Sequence, residues 1–526
     1  MDIYHNILKK LMRLLILVSF IIPPTVLANN IDNILSPLGM NTNEALEVDA
    51  SIPFVDLFKL SLPFNEARPW FTKGNITYDK NGWPKSLNGG QAGTRFISHI
   101  PPKAIPSGNY TVLYKGEGEI TYGASAKLVK RLPGKDIIHF KPMKNGLITA
   151  TLFIKKSNPR NYLREIKILM PGGICHGNKF QRVHNERSCG GKRFLSFEKH
   201  HQQLIFNPQY LHFMKDFKVL RFMNMSGVTR NNIQHWNKRP TPQKSTWGGK
   251  EGVRGVPVET MIELANTLNA DAWFNMPHKA NDRFINSFAQ LIKKKLRPHL
   301  KVYIEYSNET WNNVFVPQAE HMKQSGTRRR LDKNRNIAGA KFYSLQSVHI
   351  FKMWERILGK HRLIRVMGGS TTNIALTHTI LGYKNAYKHV DALAIAPYFH
   401  IDQKQIRHIR SVPKVFQLLN DKNNRYSIDN TLKFVKKQAD AAKQFGVHLI
   451  AYEGGQHLVQ SKTHSINEGA NPFLIKANKH PMMARAYQRL LSGWKKAGGT
   501  LFIAFSSPRP YTWHGSWGVK EHIAEA

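Results

Sequence analysis

Two glutamates close apolar runs in a chain otherwise poor in acids. Tyr303-Ile-Glu-Tyr-Ser-Asn-Glu309-Thr-Trp311 and Leu449-Ile-Ala-Tyr-Glu453-Gly-Gly455 each carry a short β-type run onto a polar end that holds a carboxylate. Two carboxyls facing each other can break a glycosidic bond. One protonates the leaving oxygen, the other attacks the anomeric carbon, and the oxocarbenium-like charge is stabilised between them. The acid needs a raised pKa and the nucleophile must stay ionised, so their surroundings have to differ. Asn308, beside Glu309, is placed to hydrogen-bond the sugar 2-hydroxyl.

The elements that must position these residues follow from periodicity. After residue 200 helices and strands alternate. Phe284, Ile285, Phe288, Leu291, Ile292 and Leu296 share one helical face, as do Met261, Leu264, Ala265 and Leu268. Strands are expected at Val219–Met225, Ala272–Met276, Val302–Tyr306, Leu363–Met367, Ala392–Ala396, His448–Tyr452 and Thr500–Phe505. A (β/α)8 barrel needs one more, expected within 171–205, which puts Glu309 after the fourth strand and Glu453 after the seventh. Reactive groups in such barrels sit at those C-terminal strand ends. Residues 45–170 read instead as short β-branched and aromatic runs: Tyr110–Tyr114, Ile137–Phe140, Leu147–Ile154 and Ile166–Leu169. Asn145-Gly146 between two of them predicts a hairpin turn. The expected fold is therefore α/β: an N-terminal antiparallel β-sandwich over 29–170 of carbohydrate-binding type, then a (β/α)8 TIM barrel over 171–526.

Composition bounds the partners. With 526 residues, 41% hydrophobic and 21% charged, neither wholesale disorder nor a polytopic membrane protein fits. The net charge of +43 predicts polyanionic partners, whether an acidic glycan, an anionic cell surface or nucleic acid. Residues 1–28, 29–170 and 171–526 carry +2, +8 and +33, so the field belongs mainly to the expected barrel. No nucleic-acid module such as a zinc finger accompanies it, so specific nucleic-acid recognition is not expected. Lys9, Lys10 and Arg13 precede the apolar Leu14–Ile22, and Val26-Leu-Ala28 follows. That is a secretory signal peptide over 1–28, predicting a secreted or periplasmic protein with no transmembrane segment after cleavage. Cys175 and Cys189 are the two cysteines of the chain; an exported pair predicts a disulfide, and with His176 and His184 between them the spacing matches no zinc pattern.

Asn308-Glu309 ending the fourth strand, with Glu453 ending the seventh, resembles clan A retaining glycoside hydrolases. Glu305 fits the clan's frequent Glu-x-x-x-Glu strand and is expected to point into the barrel interior. The resemblance implies Arg221 as the second-strand arginine that keeps the nucleophile ionised, and Tyr398 as the sixth-strand tyrosine hydrogen-bonded to it. It also implies Trp513, past the eighth strand, as the platform under the sugar. Gly255–Glu259, Trp273–His278, Tyr303–Trp311 and Ala394–Tyr398 further resemble exported bacterial proteins often labelled cellulose-binding, with a β domain ahead of a hydrolase-like barrel. On this reading Glu309 is the acid/base and Glu453 the nucleophile, while His278 and Trp311 line the substrate site. No metal or organic cofactor is required. The positive charge is unlike that of an enzyme for neutral cellulose, so the expected substrate is an anionic polysaccharide or a glycan on an anionic surface. The alternative is a polysaccharide-binding protein that kept the barrel and lost turnover.

Overall fold

The computed structural model describes residues 37–525 except 68, 69, 73, 230, 249–254, 461–470, 513 and 514. The expected signal peptide and Trp513 lie outside the described residues. Eight parallel strands close a barrel: β1 (Leu38–Asn41), β2 (Val219–Arg221), β3 (Asp271–Met276), β4 (Val302–Tyr306), β5 (Leu363–Gly368), β6 (Ala392–Ile395), β7 (His448–Ala451) and β8 (Gly499–Ala504). Seven coincide with the expected strands to within a few residues. The eighth does not. It lies at 38–41 rather than in 171–205, pairing Gly39 with Val219 on one side and with Ile503 on the other.

Residues 171–205 are occupied differently. Gly173–Cys175 pairs with Phe194–Ser196 in a two-stranded ribbon, and a Cys175–Cys189 disulfide closes the loop between them. Both strands of this ribbon lie outside the barrel sheet.

The barrel is filled from within by Val219, Trp273, Val366, Ala392, Ala394, Ile450, Tyr452, Leu501 and Ile503. The Trp273 and Tyr303 rings stack at 5.4 Å inside it. Helices pack outside through their apolar faces. Asp282–Lys295 starts where the Asn281 side chain accepts from Phe284 N–H, buries Phe284, Ile285, Phe288, Ala289 and Ile292, and leaves its lysines in the last turn, where they favour the helix dipole.

Between β1 and β2 the chain builds two antiparallel sheets, of four and five strands. Ile148–Ser157 alternates buried and half-buried residues up to Ile154, as a strand with one face on a core should. Phe140 from the four-stranded sheet meets Phe96 from the five-stranded one, with ring centroids 6.0 Å apart. The expected Asn145-Gly146 hairpin is not formed. Its flanking strands, Lys135–Phe140 and Ile148–Ser157, belong to different sheets. The later strand finds its apolar partners in Ala92–Ile100 and Gly118–Ala124. Among the described residues no helix is long and apolar enough to cross a membrane.

Candidate active site

Arg221, the last residue of β2, is fully buried and organises the mouth. Its Nη1 donates to Glu453 Oε2 and to Asn41 Oδ1, both at 3.2 Å; its Nη2 donates to Glu305 Oε2 and Asn308 Oδ1, both at 3.0 Å. One guanidinium thus ties together residues from the ends of β1, β4 and β7. Burial alone would depress an arginine, but the Glu305 and Glu453 charges outweigh it and hold its pKa above the ordinary value.

Glu305 points inward, as expected. Its Oε2 also accepts from Trp273 Nε1 at 3.0 Å and Asn275 Nδ2 at 2.7 Å. The chain then leaves β4 through two left-handed residues, Ser307 (φ 62°) and Glu309 (φ 40°), on either side of Asn308. Non-glycine residues held there cost on the order of 1–3 kcal/mol each. The turn is pinned by Ser307 N–H on Met276 O at 2.8 Å and by the Arg221 bond to Asn308. Asn308 Nδ2 is buried with no partner among the described residues. Glu309 itself is half-buried. Its Oε1 accepts from the Tyr452 hydroxyl at 2.6 Å and its Oε2 from Asn312 Nδ2 at 2.7 Å.

Glu453 follows β7 and is 8% exposed. Besides Arg221 it accepts from the Tyr398 hydroxyl at 3.1 Å. The glycines after it are needed by what surrounds them. A Cβ on Gly454 would stand 2.7 Å from the Phe502 ring, and one on Gly455 2.5 Å from the Tyr487 hydroxyl, at a φ of 130°.

The two carboxyls sit in unlike settings. Burial, then the Glu309 charge, push Glu453 up to about 8 against the pull of Arg221 and Tyr398. Burial also raises Glu309, opposed first by the Tyr452 and Asn312 bonds. The guanidinium touches Glu453 and pulls it toward its ionised form.

The other expected residues are placed as follows. His278 is buried, with its ring 5.4 Å from that of His321 and neither nitrogen hydrogen-bonded among the described residues. Burial lowers its pKa to about 4, so it is neutral, and no hydrogen bond joins it to either carboxyl. Trp311 is half-buried, with an unpartnered Nε1. Trp236 and Trp247, outside that set, are packing residues, set edge-on against Phe284 and Phe54. Sequence reasoning missed Asn41, Asn312 and Tyr452. Tyr452 was legible only as the residue before Glu453. Among the described residues no three His, Cys, Asp or Glu side chains converge as metal ligands.

No family model matches the sequence, and no curated protein does. Among solved structures the chain is similar to a GH51 arabinofuranosidase from Xanthomonas axonopodis pv. citri, at 12% identity and a TM-score of 0.34 over 64% of this chain and 63% of that one. It is similar to an endo-1,4-beta-xylanase from Caldicellulosiruptor owensensis at 14% identity and 0.34, over 58% and 83%. It is also similar to a family 26 endo-beta-1,4-mannanase from Cellulomonas fimi at 9% and 0.28, over 47% and 50%. This chain thus spans under two thirds of the arabinofuranosidase and half of the mannanase. At such scores the functional reading rests on the side chains.

Proposed function

We propose that the protein is an exported retaining glycoside hydrolase acting on an anionic polysaccharide, with Glu309 as acid/base and Glu453 as nucleophile. The observation that carries this reading is the single Arg221 guanidinium, which contacts Glu453 and the Asn308 turn together. On this reading the guanidinium favours the ionised form of Glu453, the form a nucleophile needs. In the first step Glu309 gives its proton to the leaving oxygen, the bond from that oxygen to the anomeric carbon breaks, and a Glu453 oxygen bonds to the carbon. In the second, Glu309 takes a proton from water, whose oxygen displaces Glu453. Tyr398 keeps Glu453 aimed, and Asn308 Nδ2 is free to meet the sugar 2-hydroxyl. The two antiparallel sheets are read as a carbohydrate-binding β-sandwich, the segment 1–28 as the export signal, and the charge of +33 over 171–526 as the source of attraction for a polyanion.

Reducing-sugar release on neutral and acidic polysaccharides, with Glu453→Gln beside the wild type, tests the proposal. Release by the wild type that vanishes in the variant is expected, with an apparent KM that rises with salt on the acidic polymers. Silence across the panel, with equal glycan binding by both proteins, would show a binding protein instead.

A further inference from the structure

A cavity of about 240 Å³ opens on the β4–β5 side of the mouth. At liquid density that is room for about eight waters, or for one sugar ring. Its wall begins with Thr310 and Trp311, the two residues directly after Glu309, and its floor reaches Tyr343 and Gly368. Gly368 adjoins the acid network: a Cβ there would stand 3.0 Å from Glu305 Oε1. The lining is amphiphilic in the way a pyranose is. Trp311, Tyr343, Leu376 and Ile380 offer apolar surface, and Asn313, Asn336 and Asn373 offer amides at the exposed rim. No hydrogen bond within the described residues uses the Nδ2 of Asn313 or Asn373 or the side chain of Asn336.

The lining holds one charged residue, Lys323, and no acid. Its Nζ donates to Asn313 Oδ1 at 2.6 Å and pairs with Glu320 at 3.2 Å. Glu320 is shared with Arg335, so two cations stand on one carboxylate and a positive charge is left over beside the cavity. The adjoining Arg328-Arg329-Arg330 adds to it, exposed at the end of the helix Val316–Arg328 that carries Lys323.

We propose that this cavity receives the sugar on the leaving side of the scissile bond, and that Lys323 selects an anionic sugar there, a uronate or a sulfate ester. The side is set by chemistry. The proton donor serves the leaving oxygen, and Thr310 and Trp311, the two residues directly after Glu309, line the cavity, although neither glutamate lines it itself. The proposal rests on the glycosidase reading and makes it narrower.

The test uses the whole protein and separates the two. A panel of 4-nitrophenyl glycosides, which have no sugar on the leaving side, asks of the wild type whether it is a glycosidase at all. Acidic polysaccharides are then compared with the same polymers stripped of charge, by carboxyl reduction for polyuronates and by desulfation for sulfated ones. The assay is run in about 0.5 M salt, where the long-range field is screened to within a few ångströms. A charge-assisted contact of about 1.5 kcal/mol corresponds to a tenfold preference. The wild type is expected to prefer the charged polymer about tenfold in kcat/KM, Lys323→Met to bring that ratio close to one, and Lys323→Arg to keep most of it. Whichever stripping treatment abolishes the preference names the anion. Equal rates on charged and stripped polymers, or a ratio that survives Lys323→Met, overturns the cavity assignment while the aryl glycosides still report a glycosidase. If the wild type cleaves neither the glycosides nor the polymers, both readings fall together.

Discussion

Replacing Tyr452 with Phe removes one oxygen and leaves the ring, whose packing beneath the Arg221 guanidinium at 5.0 Å is retained. That oxygen is a buried donor 2.6 Å from Glu309 Oε1. A hydrogen bond to a charged group contributes about 1.5–3 kcal/mol, and about 1.4 kcal/mol is one pKa unit. The bond favours ionised Glu309, so its loss raises the Glu309 pKa further. The first displacement needs Glu309 protonated. The alkaline limb of the kcat/KM profile, measured on an aryl glycoside with a poor leaving group, is therefore expected to move up. Hydrolysis of the glycosyl-enzyme needs Glu309 as a base and is expected to slow below that new pKa. With a dinitrophenyl leaving group the first step needs no acid, and the displaced limb should vanish from kcat/KM. An alkaline limb that stays in place, or one that moves equally with both leaving groups, would refute the coupling between β7 and the acid.

Two further expectations concern stability. Burial raises Asp49 from 3.8 to about 6, although Asn43 Nδ2 and the Ser51 N–H and hydroxyl all donate to its Oδ1. The unfolded chain therefore binds fewer protons than the folded one between about pH 4 and 6, and stability falls by about 3 kcal/mol as pH rises through that window. Asp49→Asn keeps the acceptor oxygen and should raise the Tm at pH 7.5 with a gap that closes toward pH 4; a gap independent of pH would sink the assignment. The Cys175–Cys189 bond spans 14 positions, a loop whose closure is worth roughly 3 kcal/mol in the chain-entropy model. Replacing both cysteines with Ser should loosen the ribbon Gly173–Ser196, read as faster amide exchange there, and unchanged exchange would show that pairing alone holds it.

How much of this was legible varied with local chemistry. Seven strands announced themselves because each is a short, largely apolar run. The run Leu38-Gly-Met-Asn41 carries no such signal, since it is four residues long with a glycine inside. That glycine is required by a neighbour out of reach of any local pattern: a Cβ on Gly39 would stand 2.6 Å from the Val219 carbonyl oxygen. The illegible strand also hid Asn41, one of the four acceptors on Arg221. Glu309 and Glu453 were visible because both end a readable strand. Tyr452 was not, because a tyrosine at the end of an apolar strand reads as core, and only the closed barrel shows its hydroxyl crossing to Glu309. Asn312 sits in a loop, where residue type says little about direction. Nor did the pattern distinguish Lys135–Phe140 paired with Ile148–Ser157 from the same strands in opposite sheets, since alternation specifies a face and not a partner.

The position of the first strand changes how the polypeptide can be divided. A cut near residue 170, which by composition parts a β-rich segment from an α/β one, takes Leu38–Asn41 with the wrong piece and leaves a seven-stave barrel with open edges at Val219–Arg221 and Gly499–Ala504. On the ribosome the same arrangement makes the first stave wait, since its neighbours emerge about 180 and 460 residues later. Closing loops of that size costs entropy that grows with the logarithm of length, and the intervening sheets shorten the span if they fold first. They are in that sense a scaffold for barrel closure, and a fragment cut near residue 170 loses the Asn41 amide from Arg221 along with the strand.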